Sequence, residues 1–458
     1  MRRCFAIASQ TVTATFRFHA VVAMVFLLLI CVLGLPFVIR HNGTARMFAQ
    51  VMLTYNLSVI TGALGFTTLW LACGTLAGEI ESGRLQMVAA KPVARWQIWL
   101  GKWLGIMAVN ALLLGVAATA AAGLLFWRAR ALAPDQQVAL RQEVLVARGG
   151  LREQPVDLEP DVERMYQARH NEASVRDLDP EFAKQQLRAL VRAQQETVAP
   201  NFRRIWDLDL GARRLFLRDR PLVLRVKFHA ARQGDLASVN TVWLIGDVAS
   251  GRFERSPRQL TANVFQELPV PPNLFSDDGK LHIECENRDA VTLLFPLEDG
   301  LELLYPEGGF LLNYERGVGI IFCWLSLLAA IGLAASTFLS FPVAALLTAA
   351  LVLIGLSGGT ISGVLREGTA WGFDHDTGQA GSITLDWLLL PIFRVLSFVV
   401  DGITSFSPIE ALTTGRSIGW MELGRAAVEI IGLAGGGFAV VGIAFLTRRQ
   451  LGQHSLTD

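Results

Sequence analysis

The segment WLGIMAVNALLLGVAATAAAGLLFW, residues 103–127, decides the fold of this chain, because the long polar stretch 128–316 follows it directly. A helix of that length crosses the ~30 Å hydrocarbon layer of a bilayer and satisfies its own backbone hydrogen bonds there. A second apolar segment, GVGIIFCWLSLLAAIGLAASTFLS at 317–340, begins where the polar stretch ends. We therefore expect two helical membrane parts with a water-soluble domain inserted between them.

The composition agrees with this division. The chain has 458 residues, of which 52% are hydrophobic and 18% charged, and its mean hydropathy is +0.41. These values are too apolar for an ordinary soluble enzyme and too charged for a chain lying wholly in the membrane. Of the five cysteines only Cys285 lies in the insert, so no disulfide can close within it. We expect a buried thiol there, with a free reactive thiol as the alternative.

Six membrane-spanning helices are predicted. The first apolar run, 19–39, exceeds the ~7–15 residues of a signal-peptide core and lacks a small-residue cleavage site, so we interpret it as a retained anchor. Trp96, Trp99, Trp103, Trp127 and Trp420 mark the expected membrane boundaries, with a role in packing as the alternative for some of them. The predicted spans are 19–40, 51–75, 103–127, 317–340, 342–364 and 426–447.

Basic residues near the span ends predict the orientation. Six crossings place three basic groups on one side, which the positive-inside rule identifies as the cytoplasm. The chain is thus expected in the cell (inner) membrane, with both termini cytoplasmic and 128–316 extracytoplasmic. Segment 385–403 is expected to be re-entrant or interfacial, with a seventh span as the alternative, because Pro391 and Arg394 interrupt it. The basic groups are Arg2, Arg3 and Arg17; Arg84, Lys91, Arg95 and Lys102; and Arg448 and Arg449.

The predicted domain limits follow from these spans. Residues 1–18 are expected to form a cytoplasmic amphipathic interfacial helix, since Phe5, Ala8, Val12 and Phe16 recur at helical spacing. The membrane bundle is divided into residues 19–127 and 317–447, and 448–458 form a cytoplasmic tail.

The loop between the second and third spans carries both charge signs. Residues 71–105 read LACGTLAGEIESGRLQMVAAKPVARWQIWLGKWLG. We expect residues 74–102, which we call the elbow, to form a compact helical bend that suits docking of another protein; an ordinary tight loop is the alternative. The candidate docking residues are Glu79, Glu81, Gly83, Arg84, Lys91, Pro92, Arg95 and Trp96.

The elbow resembles that of the permeases of the ABC type-2 exporter family, in which acidic and Gly-Arg residues follow the second span. The matching positions also include Gly101 and Lys102 before the third span, and the tail GIAFLTRRQL at 442–451 is similar too. The resemblance implies cytoplasmic ABC ATPase subunits that bind the elbow, and a second permease half, identical or different. The large insert between the third and fourth spans departs from the family pattern.

The chain itself is not expected to be an enzyme or to bind a cofactor. No phosphate-binding G-x-x-x-x-G-K-[ST] sequence is present, so ATP would be bound by the partner subunit. Asp374, His375 and Asp376 are consecutive, and three adjacent donors rarely reach one ion, so no metal site is expected. Basic patches typical of nucleic-acid binding are absent.

Glycine rows in the later spans predict close helix packing. Such rows let two helix backbones approach, within one bundle or at a permease–permease interface. The rows are Gly355, Gly359 and Gly363, and Gly432 and Gly436.

The insert is predicted to be an α+β domain, helical over 134–206 and an antiparallel β-sandwich over 213–310. Strand-like runs within it include 239–246, 259–267 and 290–296. Residues 265–287 look like the late strands of galactose-binding-like jelly rolls, which suggests a periplasmic protein or a glycan as partner. Trp243 is expected in the core rather than as a stacking platform.

Three functions fit these features. The first is the permease subunit of an ATP-driven exporter embedded in membrane lipid. The second is a membrane-anchored binding or signalling protein without transport. The third is ATPase-coupled mechanical transmission to the outer domain without solute flux.

Overall fold

The computed structural model describes residues 2–17, 19–38, 44–85, 93–153, 157–169, 180–220, 222–230, 238–247, 250–297, 299–356, 394 and 406–449. The chain divides into two compact units, Met1–Ala147 with Gly308–Asp458, and Arg148–Glu307. We call them the helical unit and the β unit; each has its own hydrophobic core. The β unit is shorter at both ends than the predicted insert 128–316.

Apolar helices build the helical unit, because long runs without charge can satisfy their backbone only by coiling. Its helices are α1 (Arg2–Arg17), α2 (His19–Val38), α3 (Ala45–Glu81), α4 (Arg95–Ala129), α5 (Pro134–Ala139), α9 (Phe310–Ser336), α10 (Phe341–Leu356), α11 (Pro408–Thr413), α12 (Trp420–Ala426) and α13 (Gly436–Arg448). Two π-helical segments, Leu140–Val144 and Ala427–Gly435, continue α5 and join α12 to α13.

Four helices of the described residues are long and apolar enough to cross a membrane: Ala45–Glu81, Arg95–Ala129, Phe310–Ser336 and Trp420–Arg448. They correspond to the predicted second, third, fourth and sixth spans. The first and fifth predicted spans contain the shorter apolar stretches Ala23–Gly34 and Phe341–Leu353. The count of six therefore stays a prediction, and segment 385–403 lies outside the described residues except for residue 394.

Helix α9 is the central helix of the unit. In its most apolar window 72% of the residues are buried, against 22% for the window in the last helix. It packs against α3, α4, α10 and the last helix. The last helix is therefore peripheral, and most of its surface faces outward from this chain.

The β unit contains eleven strands and three helices among the described residues. The strands are β1 (Val146–Leu151), β2 (Thr197–Val198), β3 (Arg203–Asp209), β4 (Leu222–Val226), β5 (His229–Ala230), β6 (Ser238–Asp247), β7 (Arg252–Thr261), β8 (Gln266–Val270), β9 (Lys280–Asn287), β10 (Leu293–Leu294) and β11 (Leu301–Gly309). The helices are α6 (Glu159–Arg169), α7 (Pro180–Glu196) and α8 (Arg214–Leu217).

Antiparallel sheets, as predicted, organise this unit. Two four-stranded sheets have the orders β1-β11-β4-β8 and β3-β9-β6-β7, and a small sheet has the order β2-β10-β5. Alternating residues of β4 and β9 are buried, since successive side chains of a strand point to opposite faces. Both four-stranded sheets contribute to one core, which includes Leu224 on β4 and Ile283 on β9.

The prediction that 134–206 is helical was wrong at β1, at the two-residue strand β2 and at the start of β3. The sequence of β1, VARGGL, does not alternate apolar and polar residues. Its Gly149 and Gly150 lie so close to the side chains of Tyr305 and Glu302 that an added Cβ would stand 2.4 and 2.2 Å from them. Strand β3 begins at Arg203 and pairs with β9 along its whole length. The prediction missed β1 because the residues before it have helical propensity, and it missed the start of β3 because that strand is rich in charged residues.

Two predicted strand runs also differ from the structure. The run 259–267 is divided between β7 and β8 by a turn in which Asn263 has a φ of 64°. A short polar side chain tolerates that left-handed conformation better than its apolar neighbours do. The run 290–296 contributes only Leu293–Leu294.

Candidate functional site

Helix α3 carries the first half of the elbow beyond the length that a bilayer needs. Its 37 residues correspond to about 55 Å at 1.5 Å per residue, against a hydrocarbon layer of ~30 Å. The helix ends at Ser82, whose hydroxyl donates to the carbonyl of Gly78 at 2.6 Å. Gly83 follows with a φ of 69°, the left-handed conformation that glycine adopts after a helix. The bend is therefore set by the Ser-Gly pair.

A buried ion pair connects the two halves of the elbow. The Nζ atom of Lys102 on α4 lies 2.7 Å from Oε1 of Glu79 on α3. The Lys102 side chain is only 4% exposed, whereas that of Glu79 is 33% exposed. Burying an ammonium group is costly unless a counter-charge accompanies it. Glu79 is thus the partner that permits Lys102 inside the bundle.

A second carboxylate of the elbow reaches another helix. Oε1 of Glu81 accepts a hydrogen bond from the backbone N–H of Phe341, at the start of α10, at 3.2 Å. Negative charge is favourable there because the first backbone N–H groups of a helix have no partner within it. Near the same helix start, Arg449 donates to the carbonyl of Thr337, which follows α9, at 2.7 Å. The elbow and the C-terminal arginine therefore lie at one end of the helical unit.

Helix α1 packs on α4 at that same end. A Cβ added to Gly101 would stand 2.8 Å from Cβ of Ile7, and one added to Gly105 would stand 2.6 Å from Cβ of Thr11. The contact moves by four residues along both helices, so they run locally parallel. The buried face of α1 consists of Cys4, Ala8, Thr11 and Thr15. Phe5 and Phe16, which the sequence pattern placed on the apolar face, are 65% and 41% exposed.

The predicted docking residues therefore fall into different environments. Glu79, Glu81 and Gly83 serve the fold, whereas Arg84 is exposed and Trp96 is 47% exposed. Nη1 of Arg95 is buried without a hydrogen-bond partner among the described residues. Lys91 and Pro92 lie outside the described residues. Glu81, Arg84 and Trp96 are the exposed members of the described set, and of these Glu81 is already bonded to the start of α10.

An apolar cluster supports the elbow from within. Leu85, Ile98 and Trp99 are each at most 2% exposed and pack with residues of α3, α9 and α13. Trp103 donates from Nε1 to the carbonyl of Ser326 at 3.2 Å. The ring of Trp99 fills the core, so this tryptophan is a packing residue.

The predicted glycine rows do not pack helices within this chain where they are described. A Cβ at Gly432 or Gly436 would meet nothing within 4 Å. Gly359 and Gly363 lie outside the described residues, and for Gly355 only its place in α10 is described. Close packing occurs instead at glycines that no row singled out. A Cβ added to Gly332 would stand 2.7 Å from Cβ of Ala72, and one added to Gly442 would stand 2.7 Å from Nε1 of Trp99. Isolated glycines carry no sequence signal of this kind.

In the β unit, the two residues considered for function lie in the core. Trp243 is fully buried, stacks on Trp206 with ring centroids 6.1 Å apart, and donates from Nε1 to Oγ1 of Thr241 at 3.0 Å. The prediction that it belongs to the core is confirmed. Cys285 is buried as well, and burial raises the pKa of its thiol far above its ordinary range. It is a structural thiol, as expected.

Comparison with known proteins supports the family of the first membrane part. Residues 7–145 match the model of the ABC-2 family transporter proteins. No curated protein and no solved structure matches the chain. The matched range runs from α1 through the elbow and α4 and so includes the matching residues of the elbow, whereas the similar tail at 442–451 lies outside it. The match supports the ABC-2 permease family for the N-terminal membrane part of the chain.

Proposed function

We propose that this chain is the permease subunit of an ATP-driven ABC exporter in the inner membrane, paired with a second permease half. The observation that carries the proposal is the construction of the elbow. Its charges join the ends of α3, α4 and α10, while Arg84 and Trp96 stay exposed. A force applied by a docked ATPase would pass directly into these three helices.

The chemistry of the motor belongs to the partner. In this proposal a cytoplasmic ABC ATPase binds ATP, docks on Arg84 and Trp96, and moves the helix ends that Glu79 and Glu81 hold together. The β unit is then extracytoplasmic, folds as a β-sandwich, and contacts the substrate, a periplasmic protein or a glycan.

The test is co-purification of an ABC ATPase with the full chain. We expect Arg84→Glu and Trp96→Ala to lose the ATPase while the permease stays folded. Trp127→Ala is the matched control, because Trp127 lies on the same helix at its other end and is 55% exposed. The proposal fails if both elbow variants retain the ATPase, or if the Trp127 variant loses it equally.

A second candidate function is mechanical transmission from the ATPase to the β unit without solute flux. The direct connection of strand β11 to helix α9 favours it. Strand β11 ends at Gly309 and α9, the central helix, begins at Phe310, so no linker residue intervenes. Displacement of α9 would then act on β11 directly. A flux assay in proteoliposomes that contain the permease and its ATPase separates the two: ATP hydrolysis without flux favours transmission.

A further inference from the structure

We propose that residues 211–220 of the β unit, which we call the arginine loop, bind the anionic surface of the bilayer that holds the chain. The loop reads GARRLFLRDR and comprises a 3-10 turn, Gly211–Arg213, helix α8 and the turn that follows. Neither a transport function nor ATPase docking requires this property.

The loop exposes two large apolar side chains. Leu215 is 73% and Phe216 76% exposed, more than any other large apolar residue among the described residues of the β unit. Leu217 beside them is 3% exposed and anchors the loop in the core. A leucine and a phenylalanine left in water next to a buried anchor indicate a surface that another apolar phase covers.

Four arginines surround this pair. Arg213, Arg218 and Arg220 are exposed, Arg214 is half-buried, and Asp219 is the single acid within the loop. Among the described residues none of the three exposed arginines forms an ion pair, although the guanidinium of Arg213 lies over the Tyr305 ring, 5.6 Å from its centroid. Apolar residues flanked by arginines are the composition of segments that lie in the headgroup layer, with the apolar groups below it and the guanidinium groups at the phosphates. The charge therefore selects an anionic lipid surface as the occupant.

The loop is held in one conformation before any ligand arrives. Asp219 and Asn273 exchange hydrogen bonds: the N–H of Asp219 donates to Oδ1 of Asn273 at 3.1 Å, and Nδ2 of Asn273 donates to Oδ1 of Asp219 at 2.5 Å. The N–H of Leu210 donates to the carbonyl of Gly279 at 2.8 Å. Such preorganisation lowers the entropy lost on binding.

Chain connectivity favours the chain's own bilayer as that surface. The β unit continues into the helical unit at both ends, at residues 147–148 and 307–308. A tethered segment meets a nearby surface at a high effective concentration. A second copy of the chain or a separate partner protein would have to compete with it.

The experiment uses the full chain in nanodiscs. Phe216→Cys, in a Cys31→Ser background, is labelled with an apolar environment-sensitive fluorophore; the other four cysteines are buried. Discs contain phosphatidylcholine alone or with 30 mol% phosphatidylglycerol. We expect a blue-shifted emission that a lipid-attached nitroxide quenches in the anionic discs, and weak quenching in the neutral ones. Phe253→Cys on β7, where the native ring is 45% exposed, is the matched control label and stays water-like in both.

Charge variants complete the test. Each basic residue near an anionic surface raises the equilibrium constant for membrane binding about fivefold. The double variant Arg218→Gln with Arg220→Gln should therefore lower that constant for the loop about 25-fold. The variant Arg218→Lys with Arg220→Lys, which retains both charges, should keep most of the membrane binding. Continued protection of Cys285 from thiol reagents confirms that each variant is folded. Equal quenching in both kinds of disc, a water-like label in both, or a blue shift without lipid quenching, as a protein partner would give, overturns the proposal.

Discussion

Removing Glu79 should destabilise the chain more than removing the lysine that it pairs with. The Lys102 side chain is 4% exposed and that of Glu79 33%. In Glu79→Ala the ammonium group stays buried without a counter-charge, which costs about 3–5 kcal/mol. In Lys102→Met the stem is replaced by one of similar volume and the remaining carboxylate reaches water, so the cost is about 1 kcal/mol or less.

The assay is thermal unfolding of the full chain in one detergent, for the two single variants and the double variant. For units of this size about 1 kcal/mol corresponds to about 2–4 °C, so Glu79→Ala should lower the Tm by on the order of 10 °C. The Tm of the double variant should lie near that of Lys102→Met, because neither protein contains a buried cation without a counter-charge. Equal losses in both single variants, or a double variant as unstable as Glu79→Ala, would show that the ion pair does not set the cost.

Three further predictions concern contacts elsewhere. Gly105→Ala should detach α1 and speed maleimide labelling of the thiol on α1, whereas Gly115→Ala on the same helix, where a Cβ meets nothing within 4 Å, should not. Gly442→Ala should lower the Tm because its Cβ would stand 3.1 Å from a backbone atom of α9, whereas Gly432→Ala should leave it unchanged or raise it slightly. Burial raises the pKa of Cys285, so above its usual value of 9.0 the unfolded thiol loses its proton before the folded one. The free energy of unfolding should therefore fall as the pH rises past 9, and fall less in Cys285→Ala.

The sequence predicts the apolar helices well because their signal is local. Inside a bilayer, a long run without charges can satisfy its backbone hydrogen bonds as a helix, and 103–127 lies within α4. The alternation of Leu281, Ile283 and Cys285 predicted β9 for the same reason, since a period of two needs no knowledge of the partner strand. In both cases the local spacing of apolar residues is enough to predict the secondary structure.

The features that the sequence did not predict depend on which residue packs against which in the folded chain. Nothing local distinguishes Gly101, against which Ile7 packs, from Gly115, which faces open space. In β1, Gly149 and Gly150 leave room for the side chains of Tyr305 and Glu302, although a Gly-Gly pair by itself indicates a turn. The sequence pattern identified the elbow as a charged bend. It did not distinguish the residues that hold the bend together from those that are exposed on its surface.

That separation decides how coupling can be tested. A variant at Glu79 changes the fold first, because it leaves a buried ammonium group, and loss of ATPase activity in it would say little about docking. A variant at Trp96 removes a half-exposed ring, and in the structure nothing buried is left unpaired by its loss. If ATPase binding falls in Trp96→Ala at an unchanged Tm, and coupling but not binding falls in Glu79→Ala, then docking and force transmission reside in different residues of the same elbow. The opposite pattern would mean that the ATPase recognises the acidic end of α3 itself.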